Sequence, residues 1–244
     1  RTMDFSYDLN PSIYICPRNY NWKNVSSNMQ IKNKYSFIGM GQKVEDIVFA
    51  DGVNEKGLAV ASLYFPGFAK YEKMYTNKKY NIDSVNIVKF LLGNCSNIDE
   101  ACFLLYNTSI IGIKDNITNT IAPLHWIIVD SNGKCLILEN REDGMHLLLN
   151  PIGVLTNSPN LEWHITNLRN YMNLSPIQYN ESRWEKIYLT PFGQGAGLIG
   201  LPGDFTPPSR FVRAAFLKSH VEIPNNKNEA IITYFHIMES VSIP

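Results

Sequence analysis

The sequence predicts an α+β layered sandwich, with antiparallel sheets and helices segregated from them. Three observations predict it. Segments rich in β-branched and aromatic residues fill positions 1–65 and return from Leu124. Apolar residues at helical spacing are confined to two blocks, 83–106 and the stretch beyond Trp163. Strands and helices therefore arrive in runs, without the strict β-α-β alternation that a doubly wound parallel sheet needs. No period of twenty to fifty residues repeats and no low-complexity linker interrupts the chain, so 1–244 is expected to be one domain.

Taken in order, Met3 to Tyr7 has a strand pattern, as do Ile13 to Ile15, Tyr35 to Met40, Val44 to Ala50 and Leu58 to Tyr64. Pro17 to Tyr20, Asp51-Gly52 and Lys56-Gly57 have turn chemistry. Pro66-Gly67 ends this block, and a Lys- and Tyr-rich loop runs to about Asn81. Asp83 or Ser84 is placed to cap a helix through Leu92, and Asp99 a second through Tyr106. Leu124 to Asp130 and Lys134 to Glu139 flank Ser131-Asn132-Gly133, the pattern of a hairpin. Met145 to Leu149 and Gly153 to Thr156 are two more short strands. Trp163 to Met172, Phe211 to Leu217 and Glu229 to Met238 have helical patterns, with a Gly/Pro-rich loop over 190–208.

Composition excludes several classes. Lys+Arg and Asp+Glu balance at 22 each, so no net field favours nucleic acid or an anionic membrane. No apolar run approaches the length of a membrane span. Cys16, Cys95, Cys102 and Cys135 make no C-x-x-C pair, and the histidines show no tight ligand spacing, so no metal or other cofactor is expected. Reduced thiols and a cytoplasmic setting are the expected reading of these cysteines. Gly195 to Gly200 matches G-x-G-x-x-G, but Pro191 and Pro202-Gly203 bracket it where a strand and a helix are required, so it is expected to be a loop. His125, within an apolar strand, is expected to be a satisfied core histidine.

Several residues stand out chemically. Arg1 and Asp4 lie three apart beside apolar neighbours, where burial is costly unless the charges are paired. Asn157 ends a strand pattern before Ser158-Pro159, a turn position from which a carboxamide can also be aimed at a developing oxyanion. Ser209 is a plausible helix cap, and Arg210 then sits against the helix dipole, which suggests a carboxylate partner elsewhere.

Together, Arg1-Thr2-Met3-Asp4, Asn54-Glu55-Lys56-Gly57-Leu58, Ala122-Pro123-Leu124-His125-Trp126, Gly153 to Pro159, Leu201-Pro202-Gly203-Asp204 and Ser209-Arg210-Phe211-Val212 resemble the choloylglycine hydrolase family. That family includes bile salt hydrolases and penicillin V acylases. The resemblance implies a four-layer αββα sandwich of the N-terminal-nucleophile (Ntn) type and hydrolysis of a small-molecule linear amide. A cysteine exposed as residue one would attack, with its own α-amine as general base. It implies that Arg1 lies by the thiol, that Asp4 holds the α-amine, that Asn157 stabilises the oxyanion, and that Arg210 completes the polar cluster. Met3 and Tyr64, with the loop from Phe65 to Phe68, would line the acyl pocket. A homotetramer is implied as well.

The family's Cys would precede Arg1, and the chain is expected to be a fragment lacking it and part of the C-terminal region. Tyr64 stands where bile-salt-cleaving members typically carry Asn and acylase members often carry Tyr, so penicillin V acylase activity is the first expectation and bile salt hydrolysis the alternative. A non-catalytic binding member of the fold is the third reading.

Overall fold

The computed structural model describes residues 2–3, 10–24, 27–44, 46–114 and 120–243. The predicted strand from Met3 to Tyr7 falls largely outside them. Contacts gather into two compact units, Phe5–Asn160 and Leu161–Pro244 with Arg1–Asp4.

In the first unit the strands are β1 (Ser12–Cys16), β2 (Asn21–Asn24), β3 (Met29–Lys32), β4 (Phe37–Lys43), β5 (Ile47–Asn54), β6 (Ala59–Tyr64) and β7 (Tyr80–Asp83). Helices α1 (Ile87–Asn94) and α2 (Ile98–Tyr106) follow, then β8 (Thr108–Ile111), β9 (Leu124–Val129), β10 (Cys135–Arg141) and β11 (Gly144–Leu149). Among the described residues, seven strands form one antiparallel sheet in the order β1-β4-β5-β6-β9-β10-β11. This is the segregated α+β arrangement that the runs of elements predict.

The pleat gives the sheet two unlike faces. One carries Phe37, Val60, Trp126, Ile128, Leu136 and Leu138, and these join the apolar core with Val88, Leu91 and Leu92 of α1. The other carries Leu63, His125, Ile137, Glu139 and Arg141 toward β11, and Ile15, Ile38 and Val53 toward β1.

Three predicted elements differ. Asp51-Gly52 is not a turn; β5 runs through it, and Gly52 is there because a Cβ would meet Ile38 O and Leu92 Cδ1, each at 2.7 Å. The turn between β5 and β6 is the one marked by Lys56-Gly57: it runs from Asn54 to Gly57, where Gly57 has φ +82°. Gly153–Thr156 forms no strand, because Gly153 N closes a turn onto Asn150. Asn97, not Asp99, caps α2: its Oδ1 accepts from Glu100 N at 2.9 Å, while Ser96 N, one residue before the cap, donates to Glu100 Oε2 at 2.8 Å.

The second unit holds α3 (Leu161–Asn167), the exposed hairpin β12 (Ser182–Trp184) and β13 (Ile187–Leu189), α4 (Pro207–His220) and α5 (Lys227–Glu239). Residues 195–200 form a loop with one short helical turn, and no helix follows the glycines. Thr206, not Ser209, is the N-cap of α4, with Pro207 and Pro208 in its first turn. Buried Arg213 ties the unit together by donating to the carbonyls of Ser240, Pro202 and Asp204.

Candidate active site

The carboxylate of Asp204 accepts hydrogen bonds from Ser209 Oγ (2.6 Å) and from Thr206 N (2.9 Å). These bonds hold its pKa down at about 2, the Ser209 bond foremost. The Leu201 to Asp204 segment thereby organises the start of α4. Arg210 sits one residue beyond Ser209, and its Nε donates to Phe205 O at 3.0 Å. Met3, in the same unit, is half-buried. Arg1 and Asp4 lie outside the described residues.

In the first unit the structure joins two residues 93 positions apart. Asn157 Nδ2 donates to Tyr64 O at 2.8 Å. A second bond lies beside it, from Ser158 Oγ to Pro66 O at 2.7 Å. Tyr64-Phe65-Pro66 and Thr156-Asn157-Ser158 are thus clasped backbone to side chain. The bond to Tyr64 O fixes the plane of the Asn157 carboxamide, which is what a preorganised hydrogen-bond donor requires. The Tyr64 phenol itself is half exposed, and only its carbonyl takes part in this clasp.

Phe65 is part of the packed interior. It is fully buried, and its ring stacks on His125 at 4.2 Å between centroids and 7° between planes. Phe68 and Gly67 border a hollow of about 580 Å³ whose wall is completed by Lys70, Arg141, Glu142 and Asp143, so charged side chains ring it. Tyr64 is not part of that wall.

Behind the clasp lies a buried polar row that the sequence reading missed. His125 and Glu139 are both wholly inaccessible, with His125 Nδ1 3.5 Å from Glu139 Oε1. Arg141 Nε donates to Glu139 Oε2 at 2.7 Å, and its terminal nitrogen pairs with the same oxygen. Burial drives the imidazole toward its neutral form, more strongly than Glu139 and the Thr156 backbone pull it the other way. Burial would raise the Glu139 carboxyl, yet the nearby imidazole of His125 and the hydrogen bonds and charge of Arg141 outweigh it and lower its pKa. His125 is a core histidine, as expected, but it is not a satisfied one: neither ring nitrogen has a hydrogen-bond partner of ordinary geometry. The signal was present in the hairpin. Continuing the β9–β10 register by one pair sets His125 opposite Glu139, the first charged residue after the apolar run Cys135 to Leu138.

Among the described residues no three His, Cys, Asp or Glu side chains are grouped to hold a metal ion, and no helix is long and apolar enough to cross a membrane.

Known proteins carry the same pattern. A bile salt hydrolase/transferase from Clostridium perfringens is 42% identical over 247 residues, an alignment spanning 100% of this chain and 74% of that protein. A crystal structure of a variant of conjugated bile acid hydrolase from Clostridium perfringens superposes with a TM-score of 0.90 at 38% identity, over 100% of this chain and 74% of the other. Penicillin V acylase from Pectobacterium atrosepticum is 26% identical over 272 residues, covering 100% of this chain and 65% of that protein. The fold is therefore the α+β Ntn-hydrolase sandwich that the motifs imply. The sequence model of linear amide C–N hydrolases, choloylglycine hydrolase family, matches residues 1–244. The chain belongs to the choloylglycine hydrolase family and is an amidohydrolase of linear amides.

Proposed function

We propose that this enzyme cleaves the amide bond of conjugated bile salts, in preference to the side-chain amide of penicillin V. The carrying observation is the gap between 42% identity to a bile salt hydrolase/transferase and 26% to a penicillin V acylase, each over the whole chain. This reverses the order drawn from Tyr64. The reversal has a physical reason, since it is the Tyr64 carbonyl that Asn157 engages, and every residue type supplies that carbonyl.

In this reading the thiol attacks the amide carbonyl, the carbonyl oxygen gains negative charge, and the Asn157 amide donates to it. Arg1 favours the thiolate, Asp4 holds the nucleophile's amine, and Arg210 adds a second cation to the cluster. The four cysteines of the chain are poorly suited to attack. Cys16, Cys95 and Cys135 are buried, and burial raises the thiols of Cys16 and Cys102 and pushes that of Cys95 up to about 12.

The test is a direct comparison of glycine release from a glycine-conjugated bile acid with phenoxyacetate release from penicillin V. The expected kcat/KM for the bile acid exceeds that for penicillin V by roughly tenfold or more, the scale on which pocket shape separates related substrates. The opposite order would return the assignment to the acylases.

A further inference from the structure

We propose that His125 is a positioning residue for Asn157: its imidazole braces from beneath the two segments whose mutual hydrogen bonds fix the Asn157 carboxamide. The inference rests on the reading of Asn157 as an oxyanion donor.

The imidazole packs against one half of the clasp and lies within electrostatic reach of the other. On one side Phe65, between Tyr64 and Pro66, lies flat against it at 4.2 Å. On the other, the backbone of Thr156 acts on the ring, and Thr156 is itself buried with its hydroxyl lacking a hydrogen-bond partner. Tyr64 and Pro66 accept the two bonds of the clasp, and Asn157 and Ser158 donate them. A shift of the ring would therefore move acceptor and donor segments together. From the sheet side, Glu139 approaches Nδ1 and is itself gripped by Arg141. Arg141 also lines the charged hollow, so the row runs from that hollow inward to the clasp.

An apolar core has no use for this row. Buried ion pairs seldom stabilise a fold more than well-packed hydrophobic residues of the same volume would. An imidazole with no ordinary hydrogen bond contributes less still. A precise orientation role accounts for both costs, because displacing a transition-state donor by an ångström can cost about a hundredfold in rate.

The test is a double-mutant cycle in the full-length enzyme, using N157A and H125F, which keeps a flat ring against Phe65 but removes the nitrogens that face Glu139 and the Thr156 backbone and so hold the ring in register. Steady-state kinetics are measured on the amide substrate that the enzyme cleaves. N157A is expected to lower kcat by roughly 10²–10³-fold, the scale for removal of one oxyanion donor. H125F is expected to lower kcat by about 10- to 100-fold with KM within about twofold, and the double variant to be no slower than N157A within about threefold. If the two losses multiply instead, His125 does not act through Asn157 and the inference is overturned. Activity in H125F that merely tracks its folded fraction overturns it equally. A harmless N157A overturns the oxyanion reading itself, and this inference with it. Should H125F fail to fold, E139Q carries the same cycle: it keeps the side-chain volume, and its kcat loss must likewise vanish in the N157A background.

Discussion

Two buried polar centres of the same sheet are built on opposite principles. At the β5–β6 turn, Asn54 is almost fully buried and uses its whole carboxamide. Nδ2 donates to Leu92 O (2.9 Å) and Cys95 O (2.6 Å), and Oδ1 accepts from Lys56 N and Leu58 N, both at 3.0 Å. It ties the turn to the end of α1. Next to it, Glu55 closes the turn on the solvent side through Arg18 and Ser36 N. At the far end of β6, His125 is buried more deeply and has no ordinary hydrogen bond at either nitrogen. The matched carboxamide is what a folding role requires, and the unmatched imidazole is the group that calls for another explanation. The contrast gives the proposed orienting role of His125 a counterpart against which it can be tested.

The sharpest way to break this comparison is to exchange stability for activity at the two centres. Asn54→Ala strands two carbonyls and two backbone N–H groups, and is expected to cost about 2–4 kcal/mol in urea denaturation, with activity per folded molecule unchanged. H125F removes an unsatisfied polar group and leaves Glu139 paired with Arg141, so its stability is expected to stay within about 1 kcal/mol of the parent while kcat falls. Equal stability losses at both positions would erase the distinction.

How much of this was legible beforehand follows from the physics of each element. The β9–β10 hairpin was readable because strand periodicity and the Ser131-Asn132-Gly133 turn agree, and Gly133 indeed has φ +79°. The Asn54 to Leu58 and Thr156 to Pro159 segments stood out by their local chemistry, as did Asn157 and Tyr64, and the structure brings the last two together. Their hydrogen bond was not foreseeable, since no local pattern encodes a contact across 93 residues. Gly52 misled for a related reason: Asp-Gly is turn chemistry locally, but here the glycine makes room for Leu92 of a helix some forty residues on. The β2–β3 ribbon and the parallel β7–β8 pair were missed because four-residue strands are too short for periodicity to register. Glu139 was taken as the end of a strand, and only pairing the hairpin residue by residue exposes its place beside His125.

Acid provides a gentler test. Burial depresses the His125 pKa in the folded protein, so the unfolded chain binds a proton at higher pH than the native one does. Stability therefore rises with pH across this group, and it is lost as pH falls through the ordinary histidine value of 6.5 toward the lower folded value. Arg141 and Glu139 face the ring, and His146, opposite Glu139 on β11, pairs with Asp143 at the sheet edge. Glu139, whose folded pKa is also depressed, adds a loss of the same sign at lower pH. Denaturation midpoints measured between pH 7.5 and 5.5 are expected to fall in the parent, and to fall less in H125F. Parallel slopes would mean that His125 is already protonated in the native state.

The smallest effect belongs to the solvent side of the turn. Glu55 has its pKa lowered from 4.5 to about 2, chiefly by the Arg18 guanidinium and then by Ser36 N. A depressed carboxyl stabilises the fold above its unfolded pKa, and this contribution is lost as pH falls from 4.5 through about 2. Both partners are open to water, where salt screens the attraction and side-chain entropy offsets most of what remains. Arg18→Ala is therefore expected to shift the denaturation midpoint only slightly at low ionic strength, and not measurably at high ionic strength. Glu55→Gln is expected to do more than Arg18→Ala, because it also weakens the acceptor of Ser36 N. If Arg18→Ala destabilised the protein as much as Asn54→Ala, independently of salt, the turn would be held from its exposed side, and burial would no longer separate the two kinds of polar centre.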